Sequence, residues 1–209
     1  MRVNIAPTIA QSDEYVDFGS PWQETTRTVA KAVGKSAEAE TLISNVEAKF
    51  ETVRAENPQF AGKTIAVAYA KGGGEFGYYT AQDGRGRFFS QLGFVIPDEL
   101  NELAGDSFYV DLSAERIDML DQDLLVFLGL QFVEGGREAI ESDPLVSKLN
   151  AVQDGRVLYI PAEVDDALQF GTVLSLDYLL DGLVPEIAKV VGDSDTVSTE
   201  TTPEATPAS

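Results

Sequence analysis

Two stretches of helical period open the chain, and shorter apolar runs alternating with polar helical segments fill the rest. Ser20-Pro21-Trp22-Gln23 reads as a helix start: Ser20 suits the N-cap, Pro21 the first helical position, and Gln23 completes a capping box. Trp22, Val29 and Val33 then share a face, and Gly34 stops the helix. A second helix is predicted from Ser36 to about Glu56, with Leu42, Ile43, Val46, Phe50 and Val53 as its apolar stripe. Glu38 and Glu40 lie near its positive end, and Asn57-Pro58 closes it.

From Thr64 the rhythm changes. Apolar runs predict strands at 64–70, 76–80, 107–110, 123–128 and 156–160. Between them, helical segments are expected at 87–92, 97–103, 113–120, 134–141 and 144–149. A long final helix should run from about Phe170 towards Val191, interrupted by Gly182 and Pro185. Strands alternating with helices imply an α/β fold, a mostly parallel sheet with helices on both faces.

Composition narrows the chemistry. In the 209 residues, 15 basic and 35 acidic side chains give a net charge of −20, which repels nucleic acid and anionic lipid. A salt-rich habitat would favour the same acidity. No apolar run approaches the roughly 18 residues of a membrane span, so direct membrane insertion is not expected. The first residues are too short and polar for an export signal. The chain has no cysteine and no histidine, which removes disulfides, Ser-His and Cys-His catalysis, His-ligated haem and the usual iron and zinc sites. Catalysis would have to rest on carboxylates, Lys, Tyr or Ser, and the chain is read as a non-enzyme.

In open α/β sheets, ligands sit beyond the carboxyl ends of the strands. That rule selects the loops carrying Tyr78, Tyr79, Arg85 and Arg87, then Gln131 and Phe132, then Glu163, Gln169 and Phe170. Aromatics interleaved with arginines suit a bulky, partly anionic, ring-containing ligand. The plainer alternative makes Tyr78 and Tyr79 strand residues, one inward and one outward, with the arginines solvating a loop. The run Lys71-Gly72-Gly73-Gly74 lacks the Gly-Lys-Ser/Thr ending of a nucleotide loop and reads as a hairpin or cleft-edge turn. Close carboxylate pairs (Glu38/Glu40, Asp121/Asp123, Asp165/Asp166) read as a solvated face.

Four segments in order resemble the siderophore/cobalamin (Fe/B12-type) periplasmic-binding family of ABC importers. They are Trp22 with 28–34 and 37–43; Phe88-Phe89-Ser90-Gln91-Leu92-Gly93-Phe94; Ser113-Ala114-Glu115-Arg116-Ile117 followed by Leu120 and Asp123; and Pro144-Leu145 followed by 149–157 and Tyr159. The resemblance implies two α/β lobes joined by a rigid helix, with a cleft whose Arg, Tyr, Trp and Phe grip a chelate. Iron would be held by the chelator, so no protein cofactor or metal ligand is expected. On this reading 1–16 is a remnant of the amino-terminal lobe and 17–58 the helical bridge. The carboxyl-terminal lobe is 59–191, and 192–209 is a disordered acidic Thr/Ser/Pro tail. Ligand contacts would come from Trp22, Tyr78, Tyr79, Arg85, Arg87, Phe132 and Phe170. Glu115 matches the position that docks on the permease, its alternative being an exposed first-turn acid. A ferric siderophore is the expected ligand, an ABC permease the partner, and the location extracytoplasmic. Cobalamin, haem, a His-free carboxylate enzyme and an acidic protein-recognition module are the alternatives.

Overall fold

The computed structural model describes residues 9–10 and 12–197. Part of the expected amino-terminal remnant (1–8 and 11) and most of the expected tail (198–209) lie outside the described residues.

Helix α1 (Trp22–Val33) follows Pro21, and the expected capping box does not form: no side chain caps this end. Pro21 holds an extended conformation there instead. At the far end Gly34 takes the left-handed conformation (φ 72°), and its N–H returns to the carbonyls of Ala30 and Lys31. Helix α2 (Ser36–Glu56) then doubles back along α1. It buries Ala39, Ile43, Val46, Phe50 and Val53, whereas Leu42 stays exposed. Arg27 ties the pair, reaching Glu24 at 2.8 Å and Glu40 at 2.9 Å.

Five strands form one sheet: β1 (Ile65–Gly72), β2 (Glu75–Tyr79), β3 (Tyr109–Leu112), β4 (Leu124–Leu128) and β5 (Val157–Tyr159), in the order β3-β2-β1-β4-β5. β1 pairs with β4, and β4 with β5, in parallel; β2 runs antiparallel to both β1 and β3. Four strands therefore point one way and β2 alone opposes them, because a glycine hairpin joins β1 directly to β2. Every residue of β4 is buried, as a strand covered on both faces requires.

The remaining helices are α3 (Gly84–Gln91), α4 (Asp98–Ala104), α5 (Gly136–Glu141), α6 (Asn150–Gln153), α7 (Ala162–Phe170), α8 (Val173–Gly182) and α9 (Val184–Val197). The final helix expected from Phe170 towards Val191, interrupted near Gly182, is α8 and α9, parted after Gly182, and α7 is an additional helix on residues expected as a loop. Gly171 ends α7 in the left-handed conformation, and Thr172 and Ser175 form a reciprocal capping box that starts α8. α9 continues to Val197, into the stretch expected to be a disordered tail. The segment expected as a helix at 113–120 is a kinked 3-10 turn (Ala114–Leu120).

Several acids expected on a solvated face are structural. Asp165 is buried and accepts from Gly129 N (3.0 Å) and Gln131 Nε2 (2.9 Å), fastening the loop after β4 to α7. Asp121 accepts from both backbone N–H groups that open α6. Asp123 bonds Thr64 at the start of β1.

Burial also sets a pH limit. It pushes the Tyr78 and Tyr159 phenols up to about 12 and, with the Asp111 hydrogen bond, raises Tyr69 as well. In the unfolded chain these groups ionise near pH 10. A raised folded pKa contributes stability fully below about pH 10, and that stability is lost as pH climbs towards 12. Tyrosinate absorbance from these residues is expected to appear together with loss of far-ultraviolet circular dichroism. Its appearance near pH 10 with the dichroism intact would contradict the burial described.

Candidate ligand-binding groove

Helix α1 buries only Trp22 and Ala30, so Val29 and Val33 are left facing outward. Across from them stand the first turns of α3 and the α7–α8 corner. Between these walls lies a mainly apolar groove of about 1010 Å³. Trp22, Val29, Leu42, Phe88, Leu176 and Leu179 are among its lining. Such a volume matches the upper end of ordinary small-molecule sites.

One polar corner interrupts the apolar wall. Asp83 is buried and caps α3 by accepting from the Arg85 backbone N–H at 2.8 Å. The same carboxylate grips the Arg85 guanidinium at 2.7 and 2.9 Å, and the guanidinium carbon lies over the Tyr79 ring at 3.5 Å from its centre. Burial opposes the Arg85 charge, but Asp83 outweighs it and the net shift is upward. Arg87 points elsewhere: its Nη2 donates to the carbonyls of Gly19 (2.8 Å) and Gln82 (2.9 Å), and burial lowers its pKa.

Trp22, Arg85, Arg87 and Phe170 therefore line one groove, and Tyr79 joins them through Arg85. Phe170 is 72% exposed at the α7–α8 corner. Gln169 lies beside it on the lining, Gln131 is spent on Asp165, and Glu163 is exposed in the first turn of α7. Tyr78 is not in this group. It points to the opposite sheet face, fully buried, and donates to the Leu100 carbonyl at 2.7 Å. Phe132 is also apart. It lines a smaller cavity of about 450 Å³, between the Gly72–Gly74 hairpin and α5. Glu115 is exposed at the start of the 3-10 turn that packs on β1, β2 and β3.

Sequence reasoning missed an aromatic row beside the groove. Phe18 and Phe108 line it edge to face at 5.3 Å; Tyr109, Tyr69 and Tyr79 continue the row at 4.9, 6.4 and 4.9 Å. Tyr69 reaches across β2 and donates to Asp111 at 2.6 Å, and Lys71 pairs with the other oxygen of that carboxylate at 2.6 Å. The only available signal was parity: Tyr69 and Lys71 share one face of β1, as Tyr109 and Asp111 share one face of β3.

Comparisons with known proteins bear on this arrangement. A family profile described as periplasmic binding protein matches residues 2–164. Among solved structures, a periplasmic solute binding protein from Mycobacterium smegmatis is 27% identical with a TM-score of 0.73, over 90% of this chain and 63% of that one. PiaA of Streptococcus pneumoniae TIGR4, solved in complex with ferrichrome, is 26% identical with a TM-score of 0.70, over 84% of this chain and 60% of that one. FhuD2 of Staphylococcus aureus with bound ferrioxamine B shares the fold at 16% identity, with a TM-score of 0.68, over 82% of this chain and 66% of that one. No curated protein matches the chain. The chain spans 60 to 63% of the length of PiaA and the mycobacterial protein. The family and these structures are substrate-binding proteins, not enzymes. With most of its length matched by the profile, this chain belongs to the periplasmic binding protein family.

Proposed function

We propose that the chain supplies the carboxyl-terminal lobe and bridging helices of an extracytoplasmic solute-binding component of an ABC importer, and that its groove holds a ferric siderophore. The observation that carries the reading is the groove itself: about 1010 Å³, mainly apolar, walled by α1 and α2 on one side and by α3 and the α7–α8 corner on the other. A chelate with an organic shell fits that lining better than a small polar solute does. Phe18, Phe108 and Phe170 pack against the shell, while Arg85 and Arg87 offer N–H donors to its oxygens. Iron is cargo, held by the chelator, and the described residues present no cluster of carboxylates suited to a metal. The likeness to PiaA, which was solved with ferrichrome, supports the ligand class. Glu115, exposed away from the groove lining, is positioned to meet a permease while the groove is filled.

Trp22 is the chain's single tryptophan, lines the groove and donates to Gln91 at 3.4 Å. Its fluorescence is expected to fall saturably as ferrichrome is added, at one equivalent per chain, since a ferric chelate quenches a nearby indole. Iron-free ferrichrome should quench far less. If neither ferrichrome nor a panel of other ferric chelates gives a saturable change, the siderophore reading fails.

A further inference from the structure

The groove lining carries three cations, and two of them are already neutralised. Its charged lining consists of Lys35, Arg85, Arg87, Glu38 and Asp83. Lys35 is paired with Glu38 at 2.6 Å. Arg85 is doubly bonded to Asp83, and its face is covered by Tyr79. Arg87 uses one nitrogen on two backbone carbonyls, which satisfies donors without cancelling charge. Immediately outside, Arg27 is matched by Glu24 and Glu40, and Lys49 by Asp177 and Asp181. Among the described residues, one lining guanidinium, that of Arg87, therefore stands without a carboxylate ion pair, in a chain of net charge −20.

We infer that the groove selects ferric chelates carrying no net negative charge over multiply anionic ones. The inference rests on the siderophore reading above and specifies its substrate class. It reverses the expectation, drawn from interleaved arginines, of a partly anionic ligand. Arg87 can answer one negative charge; a chelate carrying more would have to draw Arg85 away from Asp83, leaving a buried carboxylate without its cation. It would also approach against the field of the whole acidic chain. An uncharged chelate meets neither obstacle: its shell packs on the apolar wall, and its oxygens take the remaining N–H groups of Arg87.

Equilibrium dialysis of the full chain against two probes tests this. The first is ferrichrome, whose three hydroxamates balance the ferric charge; the second is ferric enterobactin, whose three catecholates leave it triply negative. Ferrichrome is expected to bind at least about tenfold more tightly at low salt, with the gap narrowing as salt rises. D83N retains a capping oxygen but frees the Arg85 charge, and is expected to shift the ratio about tenfold towards the catecholate. E38Q frees Lys35 on an exposed helix turn, where folding is not at risk, and should shift the ratio in the same direction by less. Enterobactin binding as tightly as ferrichrome, or a ratio unmoved in both variants, overturns the inference while leaving the siderophore reading intact. Binding of neither chelate removes the reading, and this inference with it.

Discussion

Phe127→Ala is expected to cost about 3–5 kcal/mol of folding stability. Phe127 occupies the middle of β4, with no exposed surface. Its sheet partners are Ala68 on one side and Tyr159 on the other. The Tyr159 ring stacks on it at 5.8 Å and Phe76 meets it edge-on at 6.1 Å. On the same face, β1 offers only Ala66, Ala68 and Ala70, too small to move into the vacated space. The cavity should therefore persist, which is the costly case for a large-to-small change. Against a typical total of roughly 5–15 kcal/mol, about a fifth of the stability or more is at stake. Urea denaturation should show a lower midpoint with an unchanged slope. A loss under about 1 kcal/mol would mean that this sheet centre is not packed as described. Chelate binding to the folded variant should persist, because Phe127 faces away from the groove-side tyrosines.

How far the sequence reveals this architecture depends on whether a feature is local. α1, α2 and the Gly34 stop follow from apolar period and one left-handed glycine, and the structure places them at the expected positions. β4 is legible because five consecutive apolar residues leave little else. α7 is not legible because Val164 and Leu168 are its only large apolar residues before Phe170, so its sequence reads as a strand-end loop; the Gly171-Thr172 stop-and-start signal parts it from α8. β3 lies further along than expected because the Ser107 hydroxyl bonds within its own turn, to the Tyr109 carbonyl and N–H, in place of a strand partner. α3 starts three residues before the expected 87, at an Asp83-Gly84 cap whose acid also holds Arg85. The same distinction governs the groove. Arg85, Arg87 and Phe170 sit on the segments after strands that the strand-end rule points to, and Trp22 on the segment that carries the family resemblance. Tyr69 and Tyr109 do not, since their juxtaposition with Tyr79 depends on strand register across β1, β2 and β3. Tyr78 differs from Tyr79 only in parity, and a register is needed to say which of the two faces the groove.

Gly77→Ala is the second substitution expected to do large damage, about 1–3 kcal/mol or somewhat more. Gly77 has ordinary strand geometry, so the cost is steric rather than conformational. A Cβ there would lie 2.3 Å from the Tyr69 hydroxyl and ring and 2.4 Å from the Val110 carbonyl oxygen. Tyr69 cannot swing aside cheaply: its hydroxyl is held by Asp111 at 2.6 Å and Val110 at 3.2 Å, and its ring lies against Tyr79. The Val110 oxygen is backbone of β3, so relief there means parting β3 from β2. Gly77 is therefore the notch through which Tyr69 crosses β2 to reach Asp111. A double-mutant cycle separates the two collisions. Y69A alone removes the ring; if the notch is filled by Tyr69 as described, G77A should be milder in the Y69A background, yet still destabilising through Val110. Equal cost in both backgrounds would show that Tyr69 does not lie over Gly77. Because Tyr69 supports Tyr79, which carries Arg85, the same substitution should also weaken ferrichrome binding in the fraction that folds, and Trp22 quenching reads that loss directly.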